Sequence, residues 1–476
     1  MTHYDIALIG SGSANSLPGE DLSGSRIVQI DRGVGPDHLF GGTCLNLGCI
    51  PTKMFVHTAN LARTPAISGR FGVDESLRRV RWREIRDRIF GRIDPISAGG
   101  ESYRAGHEDN ENLTLLRGTA RFTGPRQGGV HHLRVDVAGG GTEEITATTV
   151  VLGAGSRPSL PPVEGLAEVR PLTSDTIMRI EELPASIMIL GSGVIAAEFA
   201  HILDALGVEV TIIARGDRLL RGADADVSRR LTEVLSDRLR VVTGFSAVSA
   251  ARDAEGVSLR GRIGGEETTI RAQELLVAAG RRPNSDLLDA AVAGIDLAED
   301  GRVEVDAHQR VLADGEILPG AWALGDLSSP HQLKHVANHE LKILRHNLLH
   351  PEQLRRSDTM PIAYGVFSSP QVAAVGMTEQ EARERGGAVR VAIQEYSSIA
   401  YGWAMEDTTS FAKIIVDADT EEFLGAHIIG PEATSLIQLI TQAMSTGQRP
   451  RDIAATQYWI HPAMPELIEN ALLQLV

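Results

Sequence analysis

The sequence predicts an α/β protein: two Rossmann-like nucleotide-binding domains followed by a C-terminal α+β domain. Three observations predict it. Short apolar runs break twice into Gly-x-Gly where a helix should start, at Gly10-Ser11-Gly12 and at Gly191-Ser192-Gly193. A second apolar run follows each turn and ends beside charged residues, Asp31 in one case and Arg215 in the other. Towards the C-terminus, Phe411–Val416 and Gly425–Ile429 read as strands of a further sheet, with helical segments after them.

Length and composition bound the rest. At 476 residues the chain exceeds a single core and suggests about three domains. Two cysteines exclude a disulfide scaffold or a cysteine-rich zinc module, and no metal site is expected. The formal charge of −16 argues against a general affinity for nucleic acid, whose phosphates are read by clustered cations. No apolar run approaches the ~18 residues that span a bilayer. Met1-Thr2-His3-Tyr4 leads into Ile6-Ala7-Leu8-Ile9, which reads as a strand and not as a signal, so a cytoplasmic protein is expected.

In the first cradle, Gly10 and Gly12 let backbone amides approach a pyrophosphate at the positive end of a helix. Asn15 replaces the third glycine, which loosens the packing of helix on strand. Asp31 ends the next strand, about 20 residues on, where an acid binds a ribose hydroxyl.

Both cysteines lie in Gly41-Gly42-Thr43-Cys44-Leu45-Asn46-Leu47-Gly48-Cys49-Ile50-Pro51-Thr52-Lys53. Residues spaced like Cys44 and Cys49 lie roughly 9 Å apart at Cα in a regular helix, whereas a disulfide wants about 5.5 Å. A bridge therefore needs a distorted turn, which Gly48 permits and Pro51 limits. Such a bridge is easier to reduce than a structural staple. Two unrelated buried thiols are the alternative that spacing alone leaves open.

In the second cradle Ala196 takes the third glycine position. The strand after it ends in Ala214-Arg215, and Arg215, Arg218 and Arg221 crowd the turn. An acid there would bind the 2′-hydroxyl of NAD, while arginines accept a 2′-phosphate, so NADPH is expected.

The segment from Gly41 to Lys53 resembles the redox-active motif of the pyridine nucleotide-disulfide oxidoreductases, a family that includes glutathione reductases, dihydrolipoamide dehydrogenases and mycothione reductases. The resemblance covers essentially the whole chain. It implies FAD in the first cradle, with Gly42 and Thr43 among its contacts, and NADPH in the second. Val151–Pro158 resembles the crossover out of the FAD domain. Val277–Asn284 resembles the return crossover, with Arg281 near the nicotinamide nucleotide. Ala321–Asp326 resembles the second FAD motif, whose aspartate, Asp326 here, meets the ribityl chain. The implied map is an FAD domain at 1–152, an NADPH domain at 153–279, a return segment at 280–346 and a dimerisation domain at 347–476.

Near the end stands His461-Pro462-Ala463-Met464-Pro465-Glu466. A histidine suits the protonation of a leaving thiol at neutral pH, and a carboxylate fixes its tautomer. By resemblance this is the family's catalytic pair, reaching the disulfide of the other subunit, so a homodimer is implied. The same resemblance makes Cys49 the flavin-facing thiol, Cys44 the interchange thiol, and Lys53 a neighbour of the flavin paired with Glu198. Val194 stands where glutathione reductases place a tyrosine. The segments Gly41–Phe55, Ala400–Asp407 and Trp459–Glu466 resemble the mycothione-reducing branch, whose substrate is a small-molecule disulfide. Tyr401 and Trp403 could line its pocket or pack in the core. The rival readings are an NAD-dependent dihydrolipoamide dehydrogenase and a flavin-binding redox sensor without turnover.

Overall fold

The computed structural model describes residues 1–476. Its first sheet has seven strands, and the strand Thr2–Ile9 lies at its centre, parallel to Ile27–Asp31 on one side and Thr142–Leu152 on the other. Glu316–Ala323 extends the parallel part beyond Thr142–Leu152. These strands are covered on both faces, which is why they read as unbroken apolar runs. The strand Leu113–Phe122 changes partner midway: up to Arg117 it runs parallel to Ile27–Asp31, and from Gly118 it runs antiparallel to His131–Val137. A Cβ on Gly118 would lie 2.5 Å from the Asp136 carbonyl oxygen, so the change of partner needs glycine.

The second unit repeats this plan. Its parallel strands run in the order Glu274–Val277, Ser186–Leu190, Glu209–Ile213, Arg240–Val242. Beside them stand the antiparallel strands Phe245–Asp253, Gly256–Ile263 and Glu266–Ala272. The chain leaves the first unit through Ser156–Pro158 and returns through Arg281–Pro283, and these two short strands pair with each other, Arg282 opposite Arg157. Arg157 also forks onto Asp286 at 2.9 and 2.7 Å, which clamps the junction.

A five-stranded antiparallel sheet forms the third unit, with Phe411–Asp417 and Phe423–Ile429 inside it. The helices Ala433–Ser445 and Glu466–Leu473 bury Leu436, Ile440, Leu467 and Leu472 against it. Lys413, 2% exposed, ties this unit to the second. Its Nζ lies 2.9 Å from Asp224, 2.6 Å from Asp226 and 2.7 Å from Glu379.

One expectation fails locally. No α-helix follows the first cradle; Ser13–Ser16 makes a single 3-10 turn. Pro18 has no N–H to continue the ladder, and Gly19 is fully extended at φ −169° and ψ −176°. Asn15 acquires a different task from the glycine it replaces: its Oδ1 accepts from Gln29 at 3.0 Å and from Arg104 at 3.1 Å. The second cradle does open a helix, Val194–Ala205. That helix packs on Cys49–Arg63 through Ala196, Ala197, Phe199 and Ala200 against Phe55, Val56 and Ala59.

Candidate active site

One cavity of about 1260 Å³ joins the two cradles and reaches both cysteines. Of the residues singled out in the sequence, it brings together the glycines of both turns, Asp31, Gly42, Thr43, Cys44, Cys49, Glu198, Arg215, Arg281 and Asp326. Lys53, Arg221, His461 and Glu466 do not line it.

The redox segment is two helices and a break. Gly42–Asn46 ends at Leu47, and Cys49 is the first residue of Cys49–Arg63. The distorted turn therefore falls at Gly48, where a Cβ would lie 3.1 Å from the Thr43 carbonyl oxygen and 3.4 Å from the Cys44 Cα. Asn46 fixes the first helix by donating to Phe40 O at 2.7 Å and Gly42 O at 3.0 Å.

Both side chains are free thiols, with the Cys49 thiol hydrogen-bonded to the Cys44 sulfur. That bond, donated by Cys49, pulls the Cys44 thiol down to about 7, with Lys334 and the amides of Cys49 and Ile50 assisting and burial opposing. The same bond, burial and repulsion from Cys44 hold Cys49 well above the usual thiol range. Charge in the reduced pair therefore settles on Cys44. Cys49 is exposed, and its exposed surface faces the cavity.

Glu198 and Lys53 meet through a third residue. Glu198 accepts from the Phe367 amide at 2.9 Å, and the Lys53 ammonium sits 3.9 Å from the centre of the Phe367 ring. They make no direct salt bridge, contrary to expectation, because Phe367 engages both. Burial raises the Glu198 carboxyl to about 7, with the Phe367 amide and Lys53 opposing.

His461 Nδ1 and Glu466 Oε1 are 2.6 Å apart. The imidazole is 69% exposed while the carboxylate is 16% exposed, so Glu466 is a fixed anchor at the start of Glu466–Leu473 and His461 faces outwards. Within one chain this pair is separate from the cysteine cavity. Tyr401 and Trp403, in the helix Ala400–Ala404, are exposed as well, which removes core packing as their role.

Comparison with known proteins places this geometry. Residues 4–340 match the model of the pyridine nucleotide-disulphide oxidoreductases, and residues 362–472 match that family's dimerisation domain. The chain belongs to this family. It is 47% identical to a mycothione reductase of Mycobacterium tuberculosis over the full length of both chains. A dihydrolipoyl dehydrogenase of Bacillus subtilis is 29% identical, covering 99% of this chain and 98% of that one. The solved HOCl-induced flavoprotein disulfide reductase RclA from Escherichia coli superposes with a TM-score of 0.82 at 26% identity, covering 99% of this chain and all of the other.

As a pyridine nucleotide-disulphide oxidoreductase the protein uses FAD and NADPH, and its residues fit both. In the first cradle a Cβ on Gly10 would strike the Gly153 carbonyl oxygen at 2.3 Å, so bare backbone lines the turn. Asp31 ends its strand with Oδ2 held by Gly33 N at 3.0 Å and Arg117 at 3.2 Å. Burial raises its carboxyl, and Arg117 opposes that rise. Asp326 accepts from Ser156 Oγ at 2.7 Å, and its turn is fixed by Gly325 N donating to the buried Glu340 at 2.7 Å.

Arg281 lines the cavity but is not free there: it donates to Ser156 Oγ and Ser156 O, each at 2.8 Å. In the second cradle Gly191 needs its left-handed φ of 150°, and its Cβ would lie 2.2 Å from Ala278 O. Arg215 lines the cavity, while Arg221 folds over the next residue, with its Cδ 2.5 Å from where a Gly216 Cβ would be. Arg218 leaves a buried Nε without a partner. Sequence reasoning missed Phe367, Ser156, Glu340 and Lys334; only Lys334 carried a signal, as one of the chain's four lysines. No helix is long and apolar enough to cross a membrane.

Proposed function

We propose that the enzyme reduces the disulfide of mycothiol to two thiols, in a homodimer whose every active site is completed by His461 from a second copy. The observation that carries the reading is the cavity in which Cys44 and Cys49 lie between the two cradles. The relative in Mycobacterium tuberculosis supports the choice of substrate. The dimerisation domain supports the second copy, as do Tyr458 and Ile460, 103% and 74% exposed beside His461. The three units of the fold support a division into FAD, NADPH and dimerisation domains, and a reducing cytosol suits thiols that cycle.

FAD, when held by the first cradle and reduced by NADPH in the second, would supply the electron pair that opens the Cys44–Cys49 disulfide. The chain's own residues do the rest. Cys44, carrying the charge of the pair, attacks one sulfur of the substrate and forms a mixed disulfide. The other substrate sulfur leaves and takes a proton from His461. Glu466 holds the imidazole by Nδ1, which leaves Nε2 for the transfer. Cys49 then passes its proton to the now neutral His461 and attacks Cys44, which re-forms the internal disulfide and expels the second substrate sulfur as a thiolate that takes that proton from His461. Arg215, with Arg218 and Arg221, selects the 2′-phosphate.

The test is NADPH oxidation with mycothione, glutathione disulfide and lipoamide offered separately. A strong preference for mycothione is expected. Preference for lipoamide with NADH would place the chain in the dehydrogenase branch instead, and turnover with no disulfide would leave a redox sensor.

A further inference from the structure

The first cradle lacks the helix on which such turns depend. An α-helix directs about half a unit of positive charge at a pyrophosphate. A four-residue 3-10 turn closed by Pro18 offers little of it. Two phosphate charges in a protein cavity need a counter-charge.

A cation occupies that position. Lys334, the first residue of the helix Lys334–Leu349, lines the cavity, and its Nζ donates to Ser13 Oγ at 2.9 Å. Ser13 directly follows the cradle glycine Gly12. Lys334 has no carboxylate within ion-pairing distance, so its charge is uncompensated by the protein. The other cavity cations are engaged or placed elsewhere. Arg157 is forked onto Asp286, Arg281 holds Ser156, and Arg215 serves the second cradle. Arg32 follows Asp31 at the same end of the neighbouring parallel strand, beside the turn, but it stands among the carboxylates of Asp31, Asp175 and Asp286. Arg104 does reach the turn through Asn15, but it is outside the cavity and divides its donors between Asn15 and Asn110.

The identity of the residue agrees. Only four of the 46 Lys and Arg residues are lysine. Two of the others stand at built positions, Lys53 on Phe367 and Lys413 amid three carboxylates, and the fourth, Lys342, is exposed. A compact ammonium with three rotatable donors can hold Ser13 and still face phosphate oxygens, which a planar guanidinium does less readily.

We propose that Lys334 is the counter-cation of the first cradle, neutralising the diphosphate of bound FAD in place of the missing helix N-terminus. This rests on the cofactor and not on the identity of the disulfide substrate. The ammonium also favours the Cys44 thiolate, so one side chain connects cofactor retention to thiol charge.

The experiment strips flavin from the full-length protein and titrates the apoprotein with FAD, and separately with riboflavin, which has no phosphate, following flavin fluorescence. Lys334→Met should weaken FAD binding by about tenfold or more, as loss of a charge-assisted bond does. Riboflavin binding should be unchanged, Lys334→Arg should recover part of the loss, and FAD binding should become less salt-dependent in Lys334→Met. Lys342→Met, an exposed position on the same helix, is the control. Lys334→Gln, which keeps a donor for Ser13, carries the comparison if the Met variant does not fold. FAD affinity within twofold of the parent, or an equal loss for riboflavin, would overturn the proposal.

Discussion

Gly42 of the redox segment lies against Gly12 of the first cradle so closely that a Cβ on Gly42 would stand 2.6 Å from the Gly12 Cα. The cysteine-bearing helix and the phosphate turn are thus one backbone-to-backbone unit, and Gly42 also needs its φ of 78°.

Gly42→Ala is therefore expected to lower stability by about 1–3 kcal/mol from strain and displacement, and to release flavin. The ratio of flavin to protein absorbance after gel filtration, with a thermal melt, measures both. Gly69→Ala, where a Cβ meets nothing within 4 Å and φ is ordinary, is the control.

His461→Ala should separate the half-reactions. Reduction by NADPH should keep its rate, because His461 acts on the thiol that leaves the substrate disulfide and not on the nucleotide pocket. Exchange with disulfide should slow by about 10²–10⁴ fold, the usual worth of a general acid. Stopped-flow traces showing equal losses in both would remove the role.

Arg215→Glu should weaken NADPH by about tenfold or more, the worth of a charge-assisted bond, and NADH far less. Inhibition constants for 2′,5′-ADP against 5′-ADP give the same comparison without turnover.

The Cys44 thiol, at about 7, should govern alkylation of the reduced enzyme. Iodoacetamide should react faster as pH rises through about 7, with Cys44 the residue labelled in peptide mass spectra. Because this pKa is depressed on folding, its contribution to stability is full above the unfolded thiol value and is lost as pH falls through about 7.

Lys413→Met should strip the cation from Asp224, Asp226 and Glu379, destabilising the protein by about 3–5 kcal/mol near neutrality. Lys413 holds all three carboxyls below their usual range against burial. Their contribution to parent stability is present above the unfolded carboxyl values and is lost as pH falls through the depressed ones. In the variant the three repel one another until protonated. The gap between parent and variant melting temperatures should therefore narrow as pH falls through 4.

What was legible in the sequence was local. Gly10, Gly12, Gly191 and Gly193 announce their turns because backbone approach leaves no alternative, and His461 and Glu466 fall close enough in the chain to meet across one turn. Pro18 was equally visible, and it should have cancelled the helix after Gly12. What escaped depends on residues far apart in the chain. Phe367 reaches Glu198 and Lys53 only because the third unit packs against the redox helix, and Ser156 meets Asp326 only because the two crossovers run side by side. No spacing rule encodes such meetings.

Those paired crossovers have a consequence for how the molecule can be rebuilt. Because Ser156–Pro158 and Arg281–Pro283 are hydrogen-bonded neighbours, the whole second unit hangs from one narrow doorway, with its entrance and exit side by side. A short linker across that doorway would leave every strand of the seven-stranded sheet in place. An insert of different coenzyme preference could enter by that doorway, provided that it matches both the apolar face of Val194–Ala205 towards Cys49–Arg63 and the face towards Lys413.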